Sequence, residues 1–528
     1  MSSAIPQVAP PAITPAPGHT VPRTVGRLLS RGLGRLPRPA VALGVVLVAQ
    51  AALSLRLTWT DTAFQDEALY LRAGHLEWAH WTRHAPLPDF PAYFSGAPVA
   101  YPPLGALADS AGGLTAARLL SLACMLGVTG LLWAATARLY GRRAALLATG
   151  LFATLTGTQF LGSLATFDAP ALLLLALAAW LGVRAAGSAH PLARTGLLAA
   201  AGLTLAAADV TKYAAALFTP VVIALLALAA WRQRPGWAWL GNAATALAVW
   251  AALVAVAAAA GGPDYAHGLT TTTLARPVAA TTAATPVTTV LKDGYVWTSL
   301  ILVLAVLGVW LSARSRERAR ILPAVLLAAA LLAPAEQARL HTEVSLQKHV
   351  VFGAWFAAMA AGYGLARLSR VDRGYGWAVV MALPIAAATL FGSMGQAHFL
   401  HRDWPDSTAL IRVLRPAVQA HPGSYLAEDD DVEAYYLRGQ VRWQDWSGTY
   451  YFRYGDEPAG AASYAAAVAQ HRFALIILDY GDTAAADRQI TADLRRTGGY
   501  RVLAQAGRFT VWALRTGITP TGGAGVGH

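Results

Sequence analysis

Long apolar runs separated by short polar gaps dominate the chain. They lie near 39–56, 114–136, 144–164, 168–184, 195–210, 213–231, 238–260, 296–313, 320–335, 348–366 and 375–395. Each is close to the roughly 20 residues needed to cross a hydrocarbon core of about 30 Å. The pattern predicts a polytopic α-helical membrane protein with about 11 spans. From about residue 400 the apolar runs shorten to strand length. There the sequence predicts strands at 424–428, 473–479 and 500–504, helices over 408–420, 461–471 and 483–497, and a strand at 509–514 paired through the turn at 505–507. That is a small α/β domain of about 115 residues.

Two polar stretches stand out among the spans. Residues 57–113 form a long first outer loop, in which 62–79 predicts an amphipathic helix lying along the membrane surface. The stretch PLPDFPAYFSGAPVAYPPLGALAD follows, and its prolines predict turns and extended pieces. The threonine-rich segment 261–295 reads as either a lid or a plain connector. The resulting organisation is a disordered cytoplasmic tail over 1–36, a transmembrane part over 37–398, an outer α/β domain over 399–515 and a disordered glycine-rich tail over 516–528. No long internal repeat is visible.

Composition sharpens this picture. Hydrophobic residues make up 56% of the chain and charged residues 13%, with a net charge of +13. Arginines cluster at every second gap: Arg23, Arg27, Arg31, Arg35 and Arg38, then Arg138, Arg142 and Arg143, then Arg184 and Arg194, then Arg232 and Arg234, then Arg314, Arg316, Arg318 and Arg320, then Arg367, Arg370 and Arg373. This alternation is a positive-inside pattern, not a nucleic-acid footprint. It predicts a cytoplasmic N-terminus and, with an odd number of spans, an outer C-terminal domain. The three lysines, Lys212, Lys292 and Lys348, all fall on the outer side of that topology. The single cysteine, Cys124, excludes an intrachain disulfide.

Candidate chemistry gathers at the outer ends of spans. Asp66 and Glu67 follow the first span. A desolvated carboxylate there could serve as a general base, or the pair could be solvated acids favoured by a helix N-terminus. Asp168, beside Pro170, is either a helix cap or a functional carboxylate. Lys212 lies in a tight turn with Asp209 and is either its ion-pair partner or a contact for an anionic headgroup. Lys348 and His349, with Arg339 and His341 just before them, form a cluster of cations that suits a phosphate, although snorkelling cations are common at such boundaries. Carboxylates and cations at one depth suit group transfer from a lipid phosphate. There is no phosphate-binding glycine loop and no metal-ligand spacing, so any requirement for a divalent cation stays open.

The order of these motifs resembles the GT-C membrane glycosyltransferases that use polyprenyl-phosphate sugars, the superfamily of protein O-mannosyltransferases and the lipid A aminoarabinose transferase (glycosyltransferase family 39). Asp66-Glu67, in the form DEALYL, is similar to the acidic motif opening that family's first outer loop. Tyr101-Pro102-Pro103-Leu104 resembles its later Pro-Pro element. Thr166-Phe167-Asp168-Ala169-Pro170 and Thr211-Lys212-Tyr213 resemble its second acidic motif and its Thr-Lys turn. The resemblance covers roughly residues 39–395.

It implies an inverting transfer of one mannose-like or other pentose or hexose sugar from a polyprenyl phosphate to a hydroxyl. Asp66 would be the base, Glu67 a supporting acceptor contact and Asp168 a second active-site carboxylate. Lys212, Lys348 and His349 would contact the donor phosphate. Tyr101 stands where the aminoarabinose transferases carry a lysine. The β-trefoil domain of the protein O-mannosyltransferases is absent, which leaves protein, glycan and lipid acceptors open. The alternative is a transporter or flippase of lipid-linked sugars, which would need ionisable residues near the bilayer midplane. A scaffold whose outer domain binds cell-wall components is a third reading.

Overall fold

A computed structural model describes residues 39–233, 237–275, 284–315, 320–371, 376–450, 452–481, 483–515 and 517. The predicted tails lie outside these residues, apart from residue 517. The helical part comprises α1 (Pro39–Thr58), α2 (Gln65–Arg83), α3 (Pro102–Tyr140), α4 (Arg142–Thr154), α5 (Thr156–Leu161), α6 (Asp168–Ala186) and α7 (Pro191–Thr211). It continues through α8 (Thr219–Gln233), α9 (Ala238–Leu269), α10 (Val287–Ala313), α11 (Leu322–Arg339), α12 (Leu346–Val371) and α13 (Gly376–Leu400). Among the described residues, 8 helical segments are long and apolar enough to cross a membrane. The remaining predicted runs also form helices, α4 with α5, α11 and α13, of which α11 and the α4–α5 pair pack against α12.

Small residues set the packing of the bundle centre. Helix α12 runs through Val350–Ala361 almost fully buried. Gly353 faces the Ala329 carbonyl, Gly362 the Ala144 carbonyl, and Gly308 of α10 the Ala360 carbonyl, each at a separation that no Cβ would fit. In a bilayer, where lipid is as apolar as leucine, such close backbone approach is what holds helices together.

The first outer loop departs from expectation. Helix α2 forms, but much of it is covered by protein: Glu67, Ala68, Tyr70, Leu71, Arg72, Ala73, Gly74 and Glu77 are buried. The Pro-Pro pair opens a helix instead of a turn, since proline is accommodated in a helix's first turn, where N–H groups have no intrahelical partner. Helix α3 then kinks at Gly112–Gly113, where Gly113 has φ +66°. The predicted loop over 261–295 is largely helical too. Helix α9 kinks at Gly262, which has φ +71° just before Pro263, and resumes to Leu269; a π-type turn covers Thr270–Leu274, and α10 begins at Val287.

The C-terminal unit comprises α14 (Thr408–Ala420), β1 (Ser424–Ala427), α15 (Asp430–Tyr436), β2 (Trp446–Gly448), α16 (Ala461–Ala469), β3 (Phe473–Leu478), α17 (Ala484–Thr497), β4 (Tyr500–Ala506) and β5 (Phe509–Leu514). The sheet order is β2-β1-β3-β5-β4. Strand β1 runs parallel to β2 and β3, and β5 runs antiparallel to β3 and β4. The fully buried run Phe473–Leu478 occupies the centre, as expected for a strand covered on both faces.

This unit docks on the first outer loop through α15. Val432 and Tyr435 pack against Ala63, Ala68, Leu71, Ala117 and Ala165. The Ala63 N–H donates to Tyr436 Oη at 2.8 Å, and Tyr435 Oη donates to Asp109 Oδ1 at 2.5 Å. Arg438 and His75 also reach Asp109, at 3.1 and 2.6 Å, and Arg72 pairs with Asp431. Removing donors from Asp109, which is 3% exposed, is costly because a buried charge is left under-satisfied. Tyr435→Phe combined with Arg438→Ala is expected to lose about 2–3 kcal/mol. Limited proteolysis in detergent should then cut faster near residues 400–408.

Candidate active site

Four charged side chains from four separate elements meet on one side of the bundle. Asp66 lies in the first turn of α2, Asp168 opens α6, Lys212 follows α7, and Lys348 lies in the first turn of α12. Lys348 Nζ donates to Asp66 Oδ2 at 2.5 Å. Lys212 Nζ is 3.7 Å from Asp168 Oδ1 and donates to Ser95 Oγ at 3.0 Å. Thr166 Oγ1 donates to Asp168 Oδ2 at 3.0 Å, and Lys348 also sits over the Phe64 ring, 5.2 Å from its centroid. Lys212, Lys348 and Asp168 are buried, whereas the Asp66 side chain keeps 30% of its surface exposed. Asp66 is therefore the member of the group open to an incoming molecule.

Burial alone would push the Asp66 carboxyl up. The Lys348 and Lys212 ammonium groups outweigh that and hold it below its ordinary value. A base made available by desolvation, as the sequence suggests, is thus replaced by a carboxylate kept ionised by two cations. The set is charge-neutral, two carboxylates against two ammonium groups, which lets it persist in a dry setting. The same pairing fits a divalent cation poorly, because the carboxylates already face cations.

Local sequence explains the convergence. The Ala97 N–H donates to the Val210 carbonyl at 2.9 Å and the Tyr213 N–H to the Ser95 carbonyl at 3.0 Å. A Cβ at Gly96 would collide with the Thr211 carbonyl oxygen. Glycine at 96 lets the outer loop lie against the Thr-Lys turn, which puts Ser95 beside the Lys212 ammonium.

Other candidates fall elsewhere. Glu67 is turned away from the cluster and fully buried. Arg118 Nε and Nη2 donate to its two oxygens at 2.9 and 2.7 Å, and the Ala165 and Phe64 N–H groups add bonds of 2.7 and 2.9 Å. An acceptor contact has no oxygen left to use, so Glu67 acts as a clamp. Tyr101 is also enclosed, in an aromatic group with Tyr70, Phe90, Phe94 and Phe167. Arg339 is exposed at the end of α11, paired with Glu336 and donating to the Leu274 carbonyl. His349 is bonded to Gln337 through Nδ1 at 3.0 Å and lies near enough to Asp168 to interact with its charge. Asp209 does not pair with Lys212 but accepts from Thr219 and Trp250 at 2.9 and 2.8 Å. Arg118 and Ser95 escaped sequence reasoning. Arg118 had a signal, a lone arginine in the first turns of an apolar run; Ser95 had none.

Two outcomes follow. Glu67→Gln leaves Arg118, 1% exposed, as an uncompensated buried charge, at a cost of about 3–5 kcal/mol measurable by thermal denaturation in detergent. The depressed Asp66 carboxyl contributes stability above its unfolded value that is lost only as pH falls through the folded one. The stability gap between wild type and Asp66→Asn should therefore stay constant between about pH 5 and 8 and shrink below about pH 4.

Residues 106–255 match the family described as dolichyl-phosphate-mannose-protein mannosyltransferase. Among solved structures, ArnT from Cupriavidus metallidurans bound to undecaprenyl phosphate is similar with a TM-score of 0.56 at 17% identity, covering 90% of this chain and 98% of that one. The oligosaccharyltransferase of Archaeoglobus fulgidus, in its apo form, is similar with a TM-score of 0.56 at 14% identity, covering 92% of this chain and 75% of that one. The arabinofuranosyltransferase AftD from Mycobacteria gives 0.56 at 15% identity, covering 90% of this chain and 42% of that one. No curated protein sequence matches the chain. The chain thus matches that family over residues 106–255 and shares its overall fold with these solved membrane glycosyltransferases, with 8 helical segments among the described residues long and apolar enough to cross a membrane.

Proposed function

We propose that the chain transfers a single mannose-like or other pentose or hexose sugar from a polyprenyl phosphate to a hydroxyl, with Asp66 as the base. The carrying observation is the meeting of Asp66, Asp168, Lys212 and Lys348 at the ends of their helices. The similar ArnT structure holds undecaprenyl phosphate, and a pair of buried lysines suits such a phosphate electrostatically. In this reading the acceptor O–H gives its proton to the Asp66 carboxylate. Its oxygen attacks the anomeric carbon from the face opposite the phosphate. The bond between that carbon and the phosphate oxygen breaks, and the electron pair leaves on the polyprenyl phosphate. Lys212 and Lys348 meet the growing charge there, and single displacement inverts the anomeric centre.

The geometry also suggests how donor and base communicate. A donor phosphate that draws Lys348 and Lys212 toward itself weakens their hold on Asp66 and raises its proton affinity. Asp66 becomes a better base when a leaving group is in place. Asp168, anchored by Thr166, keeps Lys212 oriented, and His349 contributes to the field at that end. Arginines Arg138, Arg184 and Arg232 lie at the opposite helix ends, where Arg232 Nη1 donates to the Leu139 carbonyl at 2.5 Å. This supports a cytoplasmic arginine face, with the site and the C-terminal domain on the outer face of the cytoplasmic membrane. Residues 37–398 would then be the catalytic membrane part and 399–515 an outer domain. The acceptor is a protein, glycan or lipid hydroxyl.

Membranes containing Asp66→Asn, supplied with polyprenyl-phosphate-linked sugar, should lose transfer by about 10²–10⁴-fold while still binding undecaprenyl phosphate. Full transfer by a folded Asp66→Asn protein would remove the base assignment. Sugar flux across sealed vesicles without glycosylated product would instead establish transport.

A further inference from the structure

The ends of α3, α6 and α8 away from the lysine-bearing site enclose a cleft of about 520 Å3. Arg138, Leu139, Gly187, Arg232 and Gln233 line it. Helix α6 opens at Asp168 and runs 19 residues to Ala186, just before Gly187. At about 1.5 Å per residue this sets the cleft about 28 Å from that carboxylate. Two guanidinium groups and a carboxamide thus meet across the bundle from the Asp66 group.

The cleft is built by specific contacts. Arg232 Nη1 donates to the Leu139 carbonyl at 2.5 Å, and the guanidinium lies over the Tyr140 ring, 5.5 Å from its centroid. Arg138 is exposed and makes no ion pair among the described residues. Gly187 keeps the space open: a Cβ there would stand 3.2 Å from Gln233 Oε1 and 3.8 Å from Arg138 Nη1. Local counter-charge is scarce. Between residues 119 and 263 the sequence holds seven arginines against two acids, Asp168 and Asp209, both at the helix ends on the far side of the bundle. Trp231 and Trp237, 39% and 77% exposed, stand at the end of α8 and just before α9. Tryptophans gather in this way at a membrane–water boundary, at the level of the lipid headgroups.

We propose that this cleft binds a phosphate-bearing anion, a chemistry that a phospholipid headgroup and free phosphate share. Planar guanidinium forks match phosphate oxygens in pairs, and basic recesses between membrane helices take anionic headgroups. The volume falls within the roughly 300–1,000 Å3 of small-molecule sites. That is more room than a lone phosphate ion fills, which favours the headgroup of an anionic phospholipid. Bound there, it bridges α3, α6 and α8 at the ends opposite Asp168 and the Lys212 turn. The inference does not depend on the proposed reaction.

The test uses the full chain in detergent, stripped of phospholipid, with native mass spectrometry and thermal denaturation as readouts. Phosphatidylglycerol, phosphatidylcholine and inorganic phosphate are added separately. A single phosphatidylglycerol should be retained per chain, with an affinity roughly tenfold or more above that of the zwitterionic phosphatidylcholine. Stabilisation by inorganic phosphate, without preference for phosphatidylglycerol, would identify free phosphate as the source of the anion. Arg138→Gln and Gly187→Leu should each weaken binding roughly tenfold or more. The first removes a donor fork; the second fills the cleft with every charge kept. Arg142→Gln removes the same charge from an exposed arginine outside the cleft and should bind as wild type does. Should Gly187→Leu fail to fold, the comparison of Arg138→Gln with Arg142→Gln decides, since both positions are exposed. The proposal is overturned if neither phosphatidylglycerol nor phosphate binds in preference to phosphatidylcholine. It is equally overturned if Arg142→Gln weakens binding as much as Arg138→Gln, which would mean that diffuse positive charge attracts the anion.

Discussion

The arrangement around the catalytic candidates rests on one buried ion pair, Arg118 with Glu67. Arg118 reaches beyond the carboxylate to the carbonyls of Thr58, Asp61 and Thr62, at 2.8, 3.1 and 3.0 Å. Glu67 reaches the backbone of Phe64 and Ala165. The pair thereby ties the end of α1, the start of α2, the body of α3 and the segment leading into α6. Asp66 and Asp168 are each within three residues of a group it holds. A buried pair of this kind adds little net stability over a well-packed apolar core, but breaking it is expensive. What it supplies is register: two carboxylates from distant parts of the chain, held at one place.

Much of the membrane architecture was legible in the sequence, because spans are long apolar runs and no other spanning solution was available to this composition. The charge pattern likewise pointed to one boundary for Asp66, Asp168, Lys212 and Lys348, and the structure brings those four together. The outer loop was misjudged for a local reason. Proline was weighed as a breaker at Pro102 and Pro103, where it instead starts a helix, and α2 carries polar residues that the C-terminal unit covers. That cover is tertiary and leaves no periodicity. Glu67 shows the same limit, since nothing in DEALYL tells which of two adjacent acids meets an arginine 51 residues on.

In the C-terminal unit the longer elements were legible and the short ones were not. The fully apolar run of β3 and the amphipathic α14 announce themselves. Strand β2, three residues long, and α15, a run of acids followed by two tyrosines, have too little period to read. Yet α15 is the piece that joins the two parts of the molecule. Its acids have separate employment: Asp431 pairs with Arg72 of α2, while Glu433 is buried.

The close seating of Gly96 on the Thr-Lys turn has a counterpart on the loop's other edge, where Gly268 of α9 lies against the Pro91 carbonyl. The outer loop is gripped on both sides before any substrate arrives. Under the proposed reaction, Ser95, Lys212 and Asp168 therefore start in the positions they work from. Dipoles and charges that need not turn toward a developing charge impose no reorganisation cost at the moment of reaction. In that reaction, two glycines, by admitting backbone where a side chain would not fit, would lower a barrier they never touch.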